Sequence, residues 1–167
     1  MTHPTSTSGV KSDHAVKVVE SVTVRRPAAE LYRFWRNPEN IRRITAHPVE
    51  IVSRRPGVTH WSVTEPITGH LAEWDAQLIN DKPNELIAWE SAAGADVANA
   101  GTVRFTPAPD GRETEVTIQL EFVPPGGTLG ALFAKLSRYN PSREVAAALG
   151  RFKALMETGD LNSRVGV

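Results

Sequence analysis

The sequence predicts an α+β domain: a curved antiparallel sheet of six to seven strands around a long C-terminal helix, with two short helices after strand 1. Three observations carry this expectation. Residues 47–123 fall into short runs of alternating apolar and polar residues separated by turn signals. Past residue 127 the apolar period changes to that of a helix. A length of 167 residues, 40% of them hydrophobic, suits one domain with a real core.

The elements follow in order. "AVKVVESVTV" (15–24) is rich in β-branched residues, and Val18, Glu20, Val22 and Val24 share one parity, as in a strand. In "RRPAAELYRFWRNPENIRRI", Pro27 suits the first helical position, Glu30 suits the positive end of a helix, and Leu31, Phe34 and Trp35 share one face. Asn37-Pro38 stops that helix, because a residue before proline avoids the α region, and residues 38–44 form a short second one. Turn signals then recur at "RPG" (55–57), "EPITGH" (65–70), "NDKPNE" (80–85), "PAPDGR" (107–112) and "PPGG" (124–127). Between them the runs alternate. Trp61 and Val63 oppose His60 and Ser62; Trp74, Ala76 and Leu78 oppose Glu73, Asp75 and Gln77; Ile87 and Trp89 oppose Ala88 and Glu90. Val103 and Phe105 oppose Thr102 and Arg104, and Val116, Ile118, Leu120 and Phe122 oppose Glu115, Thr117, Gln119 and Glu121. Such alternation means one packed face and one wet face, as in antiparallel meanders.

The C-terminal stripe of Leu129, Leu132, Phe133 and Leu136 is interrupted at "RYNPS", where Asn140 is a good N-cap and Pro141 a good first residue. Val145, Ala148, Leu149, Phe152, Leu155 and Met156 continue the stripe, and Gly159 suits a helix stop. Residues 1–14 read as a disordered polar tail, 15–158 as the domain and 159–167 as a flexible end. A sheet curled around one helix leaves a space that need not fill, a natural hydrophobic cavity.

Composition excludes several classes. Lys+Arg and Asp+Glu each total 19, and a net charge of zero argues against a nucleic-acid binder. There is no cysteine, hence no disulfide, thiol nucleophile or Cys-based zinc site. No apolar run is long enough for a membrane span, and the N-terminus lacks a signal-peptide core, so a cytoplasmic location is expected. The histidines have no metal-pair spacing, and there is no phosphate loop, dinucleotide fingerprint or Gly-x-Ser-x-Gly elbow. Neither a metal nor a cofactor is expected.

The segments "VRRPAAELYRFWRNPENI", "WDAQLINDKPNELIAWES", "GADVANAGTVRF" and "LGRFKALMETG" resemble the START/Bet v 1-like (SRPBCC) superfamily in its bacterial polyketide cyclase/dehydrase branch, over residues 15–158. The resemblance implies the helix-grip fold. It leaves function open between binding a lipid, sterol-like or aromatic/polyketide molecule and cyclising or dehydrating a polyketide chain, since one fold hosts many activities. A third reading is an interaction module without a small ligand. The partner expected is a hydrophobic small molecule, and the chain is expected to be a monomer or homodimer.

Candidate residues follow. Trp35, Trp61, Trp74 and Trp89 fall on apolar faces of the first helix and three successive strands; with Phe105, Leu132, Leu136 and Tyr139 they are the expected cavity lining. His47, His70 and Tyr139 are the catalytic candidates, because strand ends and a helix break can border a cavity mouth. Glu73 and Asp75 could divide acid and base roles, but opposition to Trp74 and Ala76 places them toward water, where Arg104 could pair with them or with Glu90. The paired arginines of the first third read either as an anion-binding patch or as a solvated face. "GADVANAG" reads as a hairpin connection bordering the mouth, in which Asp96 and Asn99 are the chemically capable side chains.

Overall fold

In the computed structural model, residues 15–64, 69, 71–123 and 140–159 are described. The element order is β1 (Val16–Val24), α1 (Ala28–Arg36), a 3-10 helix (Pro38–Arg43), β2 (Val49–Arg55), β3 (Val58–Thr64), β4 (Leu71–Lys82), β5 (Leu86–Ser91), β6 (Asn99–Pro107), β7 (Thr114–Phe122) and α2 (Pro141–Thr158). The seven strands form one antiparallel sheet in the order β1-β7-β6-β5-β4-β3-β2. The α+β, helix-grip expectation holds, with seven strands. His70, Leu132, Leu136, Tyr139, the expected N-terminal tail (1–14) and residues 160–167 of the expected C-terminal tail lie outside the described residues.

Local chemistry explains the boundaries. Pro27, with φ −64° and ψ 148°, is the extended residue that precedes α1 rather than its first helical residue, one position from expectation. Asn37 ends α1 in an extended conformation, and its side-chain oxygen accepts from the Glu39 amide to start the 3-10 helix. The β4–β5 turn is closed by Asn84 at φ 66°, a conformation asparagine tolerates better than most residues. Asn140 caps α2 through the Arg143 amide, Pro141 opens the helix, and Gly159 at φ 63° ends it.

Cross-strand register defines the inner face. One row runs Leu78, Trp89, Gly101, Leu120, Val18 across β4-β5-β6-β7-β1. The next runs Asp81, Ile87, Val103, Ile118, Glu20 and so ends in a carboxylate on each side. Both carboxylates hold helices. Asp81 accepts from the Tyr32 hydroxyl and from Arg36 Nε (2.8 Å), both on α1, and Glu20 accepts from the Ser142 hydroxyl in the first turn of α2. At its other end α2 is fastened to the β1–α1 corner: Arg26 Nε donates to the Met156 carbonyl (2.8 Å), and Lys153 Nζ donates to the Thr23 carbonyl (2.5 Å).

The core is built around Phe152 of α2, which is fully buried against Phe34 (ring centroids 5.0 Å apart) and Trp35 (5.3 Å) of α1. Val24, Leu31, Ile44, Ile87, Val103, Phe105, Val116, Ile118 and Leu149 complete it. These residues come from β1, β5, β6, β7, the two α-helices and the end of the 3-10 helix. Strands β2 to β4 contribute none of them.

Candidate functional site

Beside this core the inner faces of β3 to β6 meet the end of α1 and the 3-10 helix around a cavity of about 380 Å³. The size suits a small-molecule site. Its walls are Trp35 of α1, Trp61 of β3, Ala76 and Leu78 of β4, Ile87 and Trp89 of β5, and Val103 of β6. Ile41 adds to the helical side, and the β2–β3 turn with Arg55, Pro56 and Gly57 forms part of the rim together with Arg36, Asn37 and Glu39. The helical wall is therefore α1 and the 3-10 helix. No residue of α2 lines this cavity, whereas the expectation was a space between sheet and C-terminal helix; the first part of that expected helical stripe, residues 129–139, lies outside the described residues. On the α2 side of Trp35, Phe152 packs against Trp35 and Phe34.

Trp61 and Trp89 enter the wall because the period of two turns both toward the concave face. Trp61 pairs across strands with Trp74, and their rings lie nearly parallel (9°) with centroids 6.1 Å apart. Trp74 backs Trp61 but does not line the cavity. Phe105 does not either; it is 3% exposed in the core, edge-on to Tyr32 at 6.0 Å. The Trp35 ring is 7% exposed, and its indole N–H has no hydrogen-bond partner among the described residues.

Charges near the rim are organised by Asp81. Burial pushes its carboxyl up, but the Tyr32 hydroxyl and the Arg36 guanidinium outweigh burial and hold it below the usual carboxylate value. Burial first, then Asp81, raises Tyr32. Arg36 is thus held in place by an ion pair where it meets the cavity.

Other candidate chemistry lies elsewhere. His47 contacts Glu144 of α2 (3.4 Å) and is not in the cavity wall. Glu73 and Asp75 sit on the outer face as expected, yet their partner is His60, not Arg104. His60 Nδ1 is 2.8 Å from Asp75 and Nε2 is 3.3 Å from Glu73, and hydrogen bonds to Asp75 and then Glu73 raise its pKa. Arg104 stands opposite Leu86 and Thr117. The connection 92–98 is more than a hairpin turn. The Ala92 amide donates to the Asp75 carbonyl, the Asp96 amide to the Glu73 carbonyl, and the Glu73 amide to the Asp96 carboxylate (2.8 Å), so the segment continues the sheet along β4. Asp96 and Asn99 are occupied in this backbone work; the Asn99 side chain donates to the Val97 carbonyl.

Two residues important to the site escaped sequence reasoning. Asp81 was hidden by a bulge: register shifts between Leu78 and Asn80, Ile79 is the extra residue, and Asp81 turns inward against parity. Gly101 faces Trp89 directly, and the signal was a glycine within a strand pattern. Among the described residues no cluster of His, Asp and Glu could hold a metal ion, and no helix is long and apolar enough to cross a membrane.

Comparison with known proteins agrees with this architecture. Residues 15–157 match the family model described as polyketide cyclase / dehydrase and lipid transport. An uncharacterized 17.2 kDa protein of Streptomyces lincolnensis, from the melC2-rnhH intergenic region, is 30% identical over 84% of this chain and 89% of its own. A Deinococcus radiodurans crystal structure superposes with a TM-score of 0.69 at 31% identity, over 86% of this chain and 98% of that one. The Zhui aromatase/cyclase of a Streptomyces species shares the fold (TM-score 0.61, 18% identity, 88% and 99% covered). With seven strands, a C-terminal helix and a match over nearly its whole described length, the chain belongs to the polyketide cyclase/dehydrase and lipid transport family.

Proposed function

We propose that this protein binds an apolar small molecule, of lipid, sterol-like or aromatic/polyketide type, in the cavity between its sheet and the α1/3-10 segment. One observation carries the reading: Trp35, Trp61 and Trp89, from three separate elements, converge on a single cavity of about 380 Å³. Large rigid aromatic surfaces turned to an unfilled space favour an apolar ligand. The Trp35 N–H adds a polar term. An unpartnered buried donor costs about 1–3 kcal/mol, which a ligand oxygen reaching it would recover.

Cyclase or dehydrase chemistry is the second reading, favoured by the charged rim. It requires an acid/base pair held against the substrate. Among the described residues the carboxylate at the cavity rim is Glu39, accompanied by Arg36 and Arg55. Binding needs none of these to move a proton, and it stands as the primary reading.

Native mass spectrometry of the purified protein, and a thermal-shift screen of fatty acids, sterols and polycyclic aromatics, test it. Binding is expected to raise Tm and to quench tryptophan fluorescence, with W61A and W89A each weakening the response. A screen without a hit, or hits unaffected by either substitution, refutes the reading. Conversion of a poly-β-ketone chain to a cyclised product above the no-protein control, lost in E39Q, would move the conclusion to the second reading.

A further inference from the structure

We infer that Gly101 determines the size of ligand the cavity admits, by letting the Trp89 indole lie flat on the sheet. The inference rests on the cavity being the ligand site. Gly101 stands opposite Trp89 on β6 and opposite Leu120 on β7. A Cβ built at Gly101 would lie 2.6 Å from Trp89 Cζ2, 2.9 Å from Trp89 Cη2 and 2.8 Å from Leu120 Cδ2. The six-membered ring of Trp89 therefore occupies the place where any other residue carries its side chain. Gly101 is absent from the residues with positive φ, so its backbone would accept alanine; space is what requires glycine.

The two neighbours differ in how they can yield. Leu120 presents a terminal methyl that a rotamer change moves aside. The indole is one rigid plate and moves as a unit. Behind it are the sheet and the added methyl, and before it is the cavity, whose wall it forms with Leu78, Ile87 and Trp61. A side chain at position 101 lifts the plate off the sheet into the ligand's space. A glycine in mid-strand otherwise weakens the strand, and its presence here is accounted for by the depth it gives the cavity.

The test uses two probes, 2-naphthol with two rings and 1-hydroxypyrene with four, titrated by fluorescence into wild type, G101A, W89F and G101A/W89F. Phenylalanine lacks the part of the indole that the new methyl meets. In G101A, 2-naphthol is expected to bind within about twofold of wild type while 1-hydroxypyrene weakens about tenfold or more, the scale on which one methylene acts in an apolar pocket. In G101A/W89F the preference is expected to return to that of W89F. Equal weakening of both probes in G101A, or no change, overturns the inference and leaves the cavity reading standing. Binding of neither probe to wild type is the separate failure of the cavity reading, and removes the inference with it. If G101A does not fold, W89F and the double variant decide: a double variant that folds and binds both probes like W89F supports the inference, and one that is also unfolded overturns it, because the methyl then meets more than Trp89.

Discussion

Asp81→Asn tests whether an inward carboxylate holds α1 over the cavity. Asp81 accepts from the Tyr32 hydroxyl and from Arg36 Nε at 2.8 Å. A hydrogen bond to a charged acceptor is worth about 1.5–3 kcal/mol. The Arg36 side chain is 43% exposed, so its ion pair is screened and adds under about 1 kcal/mol. Asparagine keeps an oxygen for Tyr32 and loses the charge, which leaves a loss of about 1.5 kcal/mol, or about 3–6 °C in Tm for a chain of this size. The pH dependence has a definite sign. Asp81 has a lowered folded pKa, so its contribution is present above the unfolded carboxylate value near pH 4 and is lost as pH falls through the folded value. Tyr32 has a raised folded pKa, so its contribution is full below about pH 10 and is lost as pH rises through the folded value. Differential scanning fluorimetry of wild type and D81N should therefore show a Tm gap that is widest near neutrality and closes in acid. A gap that stays constant from pH 7 to pH 3, or a D81N protein as stable as wild type at pH 7, refutes the argument.

Three further outcomes are expected. H60Q should lower Tm at pH 5 by the equivalent of under about 1 kcal/mol and have no effect by pH 9. His60 is raised by Asp75 and Glu73, and its stabilisation is present below about pH 6.5 and lost as pH rises through the folded value; an NMR titration of the imidazole checks the direction. F152A should cost about 3–5 kcal/mol in urea denaturation, because a fully buried ring between α1 and α2 leaves a void. D96A should speed hydrogen exchange at the Glu73 amide, whose acceptor it removes, while leaving amides in the β6–β7 ladder protected.

Strand placement was legible because burial on one face imposes a period of two, and in β3, β5, β6 and β7 nothing disturbs that period. Helix ends were legible where one residue type does one job, as at Asn140-Pro141 and Gly159. The tryptophans of the cavity wall were legible as a set, but parity gives the face of a strand and not the depth along it. Trp74 and Phe105 share faces with wall residues and still stand outside the cavity. Asp81 and Gly101 were not legible for two different reasons. A single-residue bulge reverses parity without changing composition. The need for glycine at 101 depends on a ring in another strand, which only register reveals.

The cavity also has a cause in how the apolar surface is shared out. Phe34, Trp35 and Phe152 pack the two α-helices onto the β1-β7-β6-β5 half of the sheet. Trp35 lies at the edge of that packing, in contact with Phe152 on one side and forming cavity wall on the other. Past it the inner face carries Trp61, Ala76 and Leu78, which join no part of the fully buried cluster except through Leu78 at its margin. Alanine at 76 between two bulkier neighbours leaves depth that a larger residue would fill. The cavity thus shares Ile87 of β5 and Val103 of β6 with the core and takes the rest of its sheet wall mainly from β3 and β4, which add nothing to the fully buried cluster. On this account A76L should narrow the cavity and weaken probe binding about tenfold or more with little loss of stability, whereas F152A should lower stability sharply and weaken probe binding less than A76L does, through the support it removes from Trp35.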